Sequence, residues 1–432
     1  MKISELYSIF LQYPQVQTDT RKLNKGDLYF ALKGPNFNGN QFAKNAIEAG
    51  ASYAIIDEPE FEIEGKTILV NNVLEALQAL ANHHRKQFDI PFLAITGSNG
   101  KTTTKELVHA VLSEKYEVYT TEGNLNNHIG VPLTLLKIKE DAEVAVIEMG
   151  ANHLHEIEGY CKVAEPTQGL ITNCGKAHLE GFGSIEGVMK GKGELFDFLK
   201  TDGNTTAYIM NDYPYLQSLS KGISKIISYG TVDADVLGSV VENDSTLLSV
   251  LVTVDSKYFE IRSNLVGDYN LPNILAAVAV GHNFGISLEL IKKAIENYLP
   301  SNSRSQLIDS GTNKIILDAY NANPSSMKLA IENFTHIKAN KKILMLGAMA
   351  EMGAETETEH QQLVDQIKQF NWEKVILVGK PFSAYQNDYE YFEDSSNAAQ
   401  WVGQQNFSES TILIKGSRSS QMEKILQALN KQ

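Results

Sequence analysis

The stretch Phe92-Leu93-Ala94-Ile95-Thr96-Gly97-Ser98-Asn99-Gly100-Lys101-Thr102-Thr103 decides how this chain is read. Four apolar residues run into two glycines and a lysine. A helical pattern then puts Leu107, Val108, Val111 and Leu112 on one face over residues 103–113. Strand, glycine loop and helix together form the setting in which backbone N–H groups close around phosphate oxygens, with the positive end of the helix behind them. Gly97, Ser98, Asn99, Gly100 and Thr103 would form the cradle. Lys101 would reach the β- and γ-phosphates, and the Thr102 hydroxyl would ligate Mg²⁺. Only two residues separate Gly97 from Gly100, where the usual loop has four. An ordinary turn can carry the same letters, but the flanking strand, the helix and the run of threonines favour nucleotide binding.

Beyond this stretch, short apolar runs alternate with helical stretches. Residues 144–147, 170–172, 315–317, 343–346, 375–378 and 412–414 read as buried strands, and residues 73–88 as a helix. Near-continuous apolar strands alternating with helices predict an α/β protein with parallel sheets covered on both faces. At roughly 150 residues per domain, 432 residues suggest about three domains. The expected division is 1–88, 89–299 and 300–432, with Pro300-Ser301-Asn302-Ser303 as a linker. A β-rich insert is expected at roughly residues 226–265, where stretches such as 248–254 alternate with period two.

Lys plus Arg is 38 against 52 Asp plus Glu, a formal net charge of −14. That balance excludes a non-specific nucleic-acid or anionic-membrane partner, though not a local anion site. Cys161 and Cys174 are the only cysteines, which reads as two reduced thiols rather than a disulfide framework. Residues 1–11 lack the apolar core of a signal peptide, and the most apolar run, 274–280, is far short of the ~18 residues of a membrane span. The expectation is a soluble, cytoplasmic monomer.

Thr96–Thr104, TGSNGKTTT, resembles the ATP loop of the Mur ligase superfamily, ATP-dependent amide-forming ligases that include the folylpolyglutamate synthases. Further stretches carry the resemblance along nearly the whole chain in order: TEGNLNNHIGVP (121–132), EMGAN (148–152), AHLEGFGS (177–184), GKGELF (191–196), DAYNANPSSM (318–327) and KGSR (415–418). The resemblance implies three domains: an N-terminal UDP-MurNAc-binding domain, a central phosphate-loop domain and a Rossmann-like C-terminal domain. It implies ATP, two Mg²⁺ ions and an acyl-phosphate route joining D-alanyl-D-alanine to UDP-N-acetylmuramoyl-tripeptide, the last cytoplasmic step of the peptidoglycan precursor.

The residues can be weighed against that chemistry. Activating a carboxylate with ATP brings two anions together, so the site needs concentrated positive charge, from Lys101 and Mg²⁺. Glu148, at the C-terminal end of a strand, reads as a Mg²⁺ ligand. By resemblance, His178 stands beside the second Mg²⁺. Lys192, whose surroundings alone suggest a solvated helix residue beside Lys190 and Glu194, matches a lysine that CO₂ carbamylates into a metal ligand. Only an uncharged amine undergoes that reaction. Lys101, Lys192 and His178 are therefore the expected catalytic residues.

The resemblance places Asn124, Asn126 and Asn127 against the muramoyl-peptide. Asn270 and Asn273 fall on the adenine side, and Arg304 and Asp318 reach ATP from the C-terminal domain. Asn321 and Asn323 line the closing surface, and Thr18-Asp19-Thr20-Arg21 with Lys33-Gly34 hold the uridine diphosphate. Three positions depart from the family pattern: Tyr269 stands where many relatives have His, His155 where many have Gly, and Ala348 replaces an acid in the loop before His360, where the incoming amine is chosen. A folylpolyglutamate synthase would share the ATP loop and the carbamylated lysine, but the asparagine loops and DAYNANPSSM argue against it. A catalytically silent nucleotide-binding regulator would not need Lys101, Glu148, His178 and Lys192 together.

Overall fold

The computed structural model describes residues 2–301 and 303–429; Asn302 of the expected linker lies outside the described residues. The architecture is α/β, built on three sheets. The first has four parallel strands in the order Val16–Gln17, Leu28–Phe30, Tyr53–Ile56 and Thr67–Leu69. A small hairpin, Lys33–Gly34 with Phe37–Asn38, projects beside it.

The second sheet has nine strands. From one edge they run Val118–Thr120, Val144–Glu148, Phe92–Thr96, Gln168–Ile171, Thr206–Met210, Lys225–Gly230, Val236–Val240, Leu247–Val254 and Lys257–Val266. Pairing is parallel as far as Val236–Val240 and antiparallel beyond it. The β-rich stretch therefore extends the same sheet. Alternating letters reveal strands with two unlike faces, but they do not say which sheet the strands join. Phe92–Thr96 and Val144–Glu148 are buried at every position, as strands covered on both faces should be.

Phe92–Thr96 lies between Val144–Glu148 on one side and Gln168–Ile171 on the other. The chain order reverses across it, and an open α/β sheet has its binding crevice at the carboxyl ends of the strands flanking such a point. This brings the loop after Thr96, the side chain of Glu148 and the segment after Ile171 to one place. The helix after the loop begins at Lys101, because Gly100 stands in the left-handed region at its N-terminus.

The third sheet has six strands in the order Gln306–Ser310, Asn313–Asp318, Ser410–Lys415, Lys341–Gly347, Lys374–Val378 and Glu390–Phe392. It is parallel except for the first hairpin.

One apolar core runs from Leu6 to Ile295 through the first two sheets, while the third sheet has a cluster on each face. The helix Val73–Arg85 joins the first two bodies. At its end the Arg85 guanidinium donates to the carbonyls of Ala164, Glu165 and Phe88, each at 2.9 Å, and lies 3.6 Å over the Phe92 ring. Arg85→Ala would orphan three carbonyls and lose that stacking, a cost of about 3 kcal/mol. The melting temperature is expected to fall by about 3–5 °C in a thermal scan; an unchanged value would contradict this role for Arg85 at the seam. Among the described residues no helix is long and apolar enough to cross a membrane.

Candidate active site

The phosphate loop is shaped by close approach. Gly97 has φ 143° and a Cβ there would sit 2.0 Å from Thr172 Oγ1. Gly100 has φ 79°, and its Cβ would sit 2.5 Å from Asn273 Oδ1. Both positions therefore require glycine. The segment after the Gln168–Ile171 strand anchors the loop. Ser98 N–H donates to Asn173 O at 2.8 Å, the Ser98 hydroxyl exchanges hydrogen bonds with Gly175 O and N, and Asn99 N–H donates to Asn173 Oδ1 at 3.1 Å. Lys101 Nζ donates to Gly97 O at 2.7 Å, which holds the ammonium over the loop. Burial lowers the Lys101 pKa, Glu148 opposes that shift, and Arg304 adds to it.

Glu148 is held at two points and free at a third. Its N–H donates to Thr121 Oγ1 at 2.9 Å, Asn126 Nδ2 donates to Oε1 at 2.7 Å, and Oε2 is buried with no hydrogen-bond partner among the described residues. A buried carboxylate oxygen without a donor is costly, and a hard divalent cation at a phosphate loop satisfies it. Thr102, 3% exposed at the start of the helix, supplies a hydroxyl beside the same loop. Among the described residues no three His, Cys, Asp or Glu side chains are preassembled into a cluster. That donor set fits Mg²⁺, which takes one or two carboxylates and completes its shell with phosphate and water oxygens.

Lys192 is not the solvated residue that its neighbours Lys190 and Glu194 suggest. It is fully buried on the helix Ile185–Leu199, on the same face as Val188, Leu195, Phe196 and Leu199. Its Nζ donates to Ala151 O at 2.8 Å and lies 5.1 Å from the Phe182 ring. Burial, and then the charge of Lys101, push its pKa down to about 7. A neutral amine is therefore populated at ordinary pH. His178 has φ 53° at the start of the short helix Leu179–Phe182. Its Nδ1 pairs with the Glu351 carboxylate, which the pairing pulls below the usual carboxyl range.

The third sheet faces these groups across a cleft of about 1110 Å³. Asp318 and Lys415 end adjacent strands in register and pair at 2.5 Å. The Arg304 guanidinium lies 3.7 Å over the Tyr320 ring, its buried Nε without a hydrogen-bond partner among the described residues, and Arg418 sits 5.7 Å from the same ring. Asn323 caps the helix Pro324–His336 and donates to Asn99 Oδ1 at 2.8 Å, touching the phosphate loop itself.

The cleft gathers Ser98 to Thr103, Asn124, Asn126, Asn127, Glu148, His178, Asn270, Asn273, Arg304, Asp318, Asn321 and Asn323. Asn270 and Asn273 bond to each other at 2.8 Å, and Asn273 accepts from Thr104. The Asn127 side-chain oxygen is taken by the N–H groups of Ile129 and Gly130, and that of Asn321 by Ala322 N–H. Lys192 lies behind the wall that Ala151 contributes. The N-terminal candidates are elsewhere. Asp19, which follows Thr18, pairs at the surface with Arg21 on the far side of Thr20, and Lys33 beside Gly34 pairs with Asp57 and Glu58.

Three departures acquire physical content. His155 has φ 68°, a conformation that glycine adopts most cheaply, and Glu194 holds its N–H at 2.6 Å. Tyr269 is half-buried and its hydroxyl meets Ser305 Oγ at 3.3 Å. Ala348 makes its hydrogen bonds through the backbone, its carbonyl accepting from Ser417 Oγ at 2.6 Å and its N–H donating to Val378 O, while its methyl packs against the apolar cluster. His360, 1% exposed, accepts Met349 N–H at 3.0 Å and so braces that loop from behind.

Sequence reasoning missed Tyr320, Glu351, Asn173 and Thr121. Tyr320 sits inside the quoted DAYNANPSSM stretch, and Asn173 lies one residue past an expected strand. Lys192 carried a signal that helix phase would have exposed, because it falls four residues after Val188 and four before Phe196.

The comparisons agree with this geometry. Residues 95–281 match the family model described as Mur ligase middle domain, 303–418 the Mur ligase glutamate ligase domain, and 12–85 the Mur ligase family catalytic domain. The UDP-N-acetylmuramoyl-tripeptide–D-alanyl-D-alanine ligase of Bacillus subtilis is 36% identical over 96% of this chain and 92% of its own. A MurF crystal structure from Acinetobacter baumannii superposes with a TM-score of 0.89 at 27% identity, covering 100% of this chain and 99% of that one. A MurF ligase from Thermotoga maritima in complex with ADP gives 0.87 at 25% identity, covering 98% of each chain. The fold that brings a phosphate loop, a carboxylate and a third sheet to one cleft is thus shared with proteins similar along nearly their whole length, and the chain belongs to the Mur ligase family.

Proposed function

We propose that this ligase joins D-alanyl-D-alanine to UDP-N-acetylmuramoyl-tripeptide at the expense of ATP. The observation that carries the reading is that the phosphate loop with Glu148 and the Arg304–Asp318–Lys415 group of the third sheet face one cleft. Residues 1–88 would hold the uridine diphosphate, 89–299 the ATP, and 300–432 the dipeptide. In the first step the γ-phosphoryl group moves to the terminal carboxylate of the tripeptide, giving an acyl phosphate and ADP. The dipeptide amine then attacks the carbonyl carbon, and the tetrahedral intermediate expels phosphate.

The chain's own groups serve that sequence by position. The loop amides and Lys101 grip the phosphates, while Arg304, stacked on Tyr320 and without a partner at Nε among the described residues, meets the same anions from the other side. Asn126 fixes one oxygen of Glu148 and leaves the other for the cation. When bound, Mg²⁺ offsets charge on the transferring phosphoryl group.

Carbamylated Lys192 is part of the proposal. A carbamate keeps one N–H, enough for the bond to Ala151 O, whereas the unmodified ammonium has three donors and one protein acceptor there. Lys192, His178, Glu148 and Thr102 would then serve as the ligands of two Mg²⁺ ions. Removing the brace, Asn126→Ala, is expected to raise the Mg²⁺ concentration for half-maximal activity roughly 10-fold; an unchanged Mg²⁺ titration would show that Glu148 needs no such support. The acyl-phosphate step is tested with tripeptide labelled with ¹⁸O at its terminal carboxylate. One labelled oxygen per released phosphate is expected, and unlabelled phosphate would overturn it.

A further inference from the structure

The segment from Asn173 to His178 touches two bodies at once. On one side it holds the phosphate loop through the Ser98–Gly175 and Asn99–Asn173 hydrogen bonds. On the other it holds the third sheet's domain: Lys176 N–H donates to Ser325 Oγ at 3.0 Å, and Lys176 Nζ pairs with Glu359 at 2.7 Å. Glu359, on the helix Thr356–Ile367, has a side chain 5% exposed, and Lys176 is its only ion-pair partner among the described residues. Gly175 allows the approach, since a Cβ there would meet Ser325 Oγ at 2.9 Å.

We propose that the Lys176–Glu359 pair is a docking latch, through which the segment that shapes the phosphate loop also sets how firmly the C-terminal domain closes over it. Lys176 and Glu359 are then positioning residues: neither reaches the reacting atoms, and both act by holding Arg304 and Asp318 opposite the loop. The asymmetry of burial sets an order of effects. Removing the lysine leaves a buried carboxylate without a cation in the docked state, which is costly, while undocking returns that carboxylate to water. Glu359→Gln removes the charge together with the need for a partner and keeps a hydrogen bond to Lys176.

The test uses full-length protein with a non-hydrolysable ATP analogue and Mg²⁺. Small-angle scattering reports docking, and steady-state kinetics report kcat and KM. The latch rests on the ligase reading for its kinetic readout only, because scattering follows docking whatever reaction is catalysed. Lys176→Met is expected to shift the docking equilibrium toward the open form and lower kcat, each by about 10-fold. Glu359→Gln should give a smaller shift, and Lys176→Arg should behave as the parent protein. KM for ATP should change less than threefold, since no loop group is lost. Unchanged scattering in Lys176→Met, or an effect of Glu359→Gln as large as that of Lys176→Met, would overturn the latch.

Discussion

Replacing Lys192 with Met is expected to lower turnover by roughly 10³-fold or more while leaving the protein folded. The side chain is fully buried among apolar neighbours, and methionine fills nearly the same volume without a charge to desolvate, so loss of activity cannot be put down to a collapsed core. Acetate or formate should restore part of the activity of the smaller Lys192→Ala by standing in for the carbamate. No rescue would count against the carbamate, though not against the site. Parent enzyme in CO₂-depleted buffer should likewise lose activity and regain it with bicarbonate.

The same residue gives a pH signature with a definite sign. The folded-state pKa of about 7 lies below the usual lysine value because of burial and Lys101. Between those two pKa values the unfolded chain binds more protons than the folded one, so stability rises with pH from about 7 toward the ordinary lysine range. Thermal scans in CO₂-depleted buffer should show this gain in the parent protein and not in Lys192→Met. Equal slopes would contradict the neutral buried amine.

The second large effect is expected at the phosphate loop. Lys101→Met should reduce turnover by roughly 10³-fold. Its ammonium is already held over the loop by Gly97 O, so it is positioned before any ligand arrives. Isothermal titration with ADP should show that Lys101→Met still binds the nucleotide, because Gly97 and Gly100 keep their backbone conformation. Turnover within 10-fold of the parent would contradict its placement on the transferring phosphoryl group.

The fold was legible where local pattern and tertiary role coincide. The strand before the loop, the loop and its helix announce themselves in twelve residues, and the apolar runs that read as strands are strands. The β-rich stretch was legible as strands but not as part of the central sheet, since sheet membership depends on partners far along the chain. Site residues were legible where backbone chemistry demands a residue type, as at Gly97 and Gly100.

Contacts across the cleft were not legible. His178 with Glu351, Lys176 with Glu359 and Asn99 with Asn323 join residues 173 to 224 positions apart, and no local spacing encodes them. Lys192 shows a third case. Its immediate neighbours are charged, so it looks solvated, but helix phase puts it on the apolar stripe. There the expectation of a solvated side chain, drawn from its charged neighbours, is overturned by full burial.

The acidic net charge is likewise compatible with two polyanionic nucleotide substrates. The cleft places Lys101, Arg304, Lys415 and Arg418 beside the loop amides, with Glu148, Glu156, Asp268, Asp318 and Glu351 on the same lining, so the overall balance of −14 says little about where anions are held.

Phosphate release with ATP, Mg²⁺ and UDP-N-acetylmuramoyl-tripeptide, with and without D-alanyl-D-alanine, separates this ligation from every other use of the site. Release should depend on the dipeptide and match, mole for mole, a nucleotide product heavier by one D-alanyl-D-alanine residue pair. Release that ignores the dipeptide, or no release with all substrates present, would contradict it.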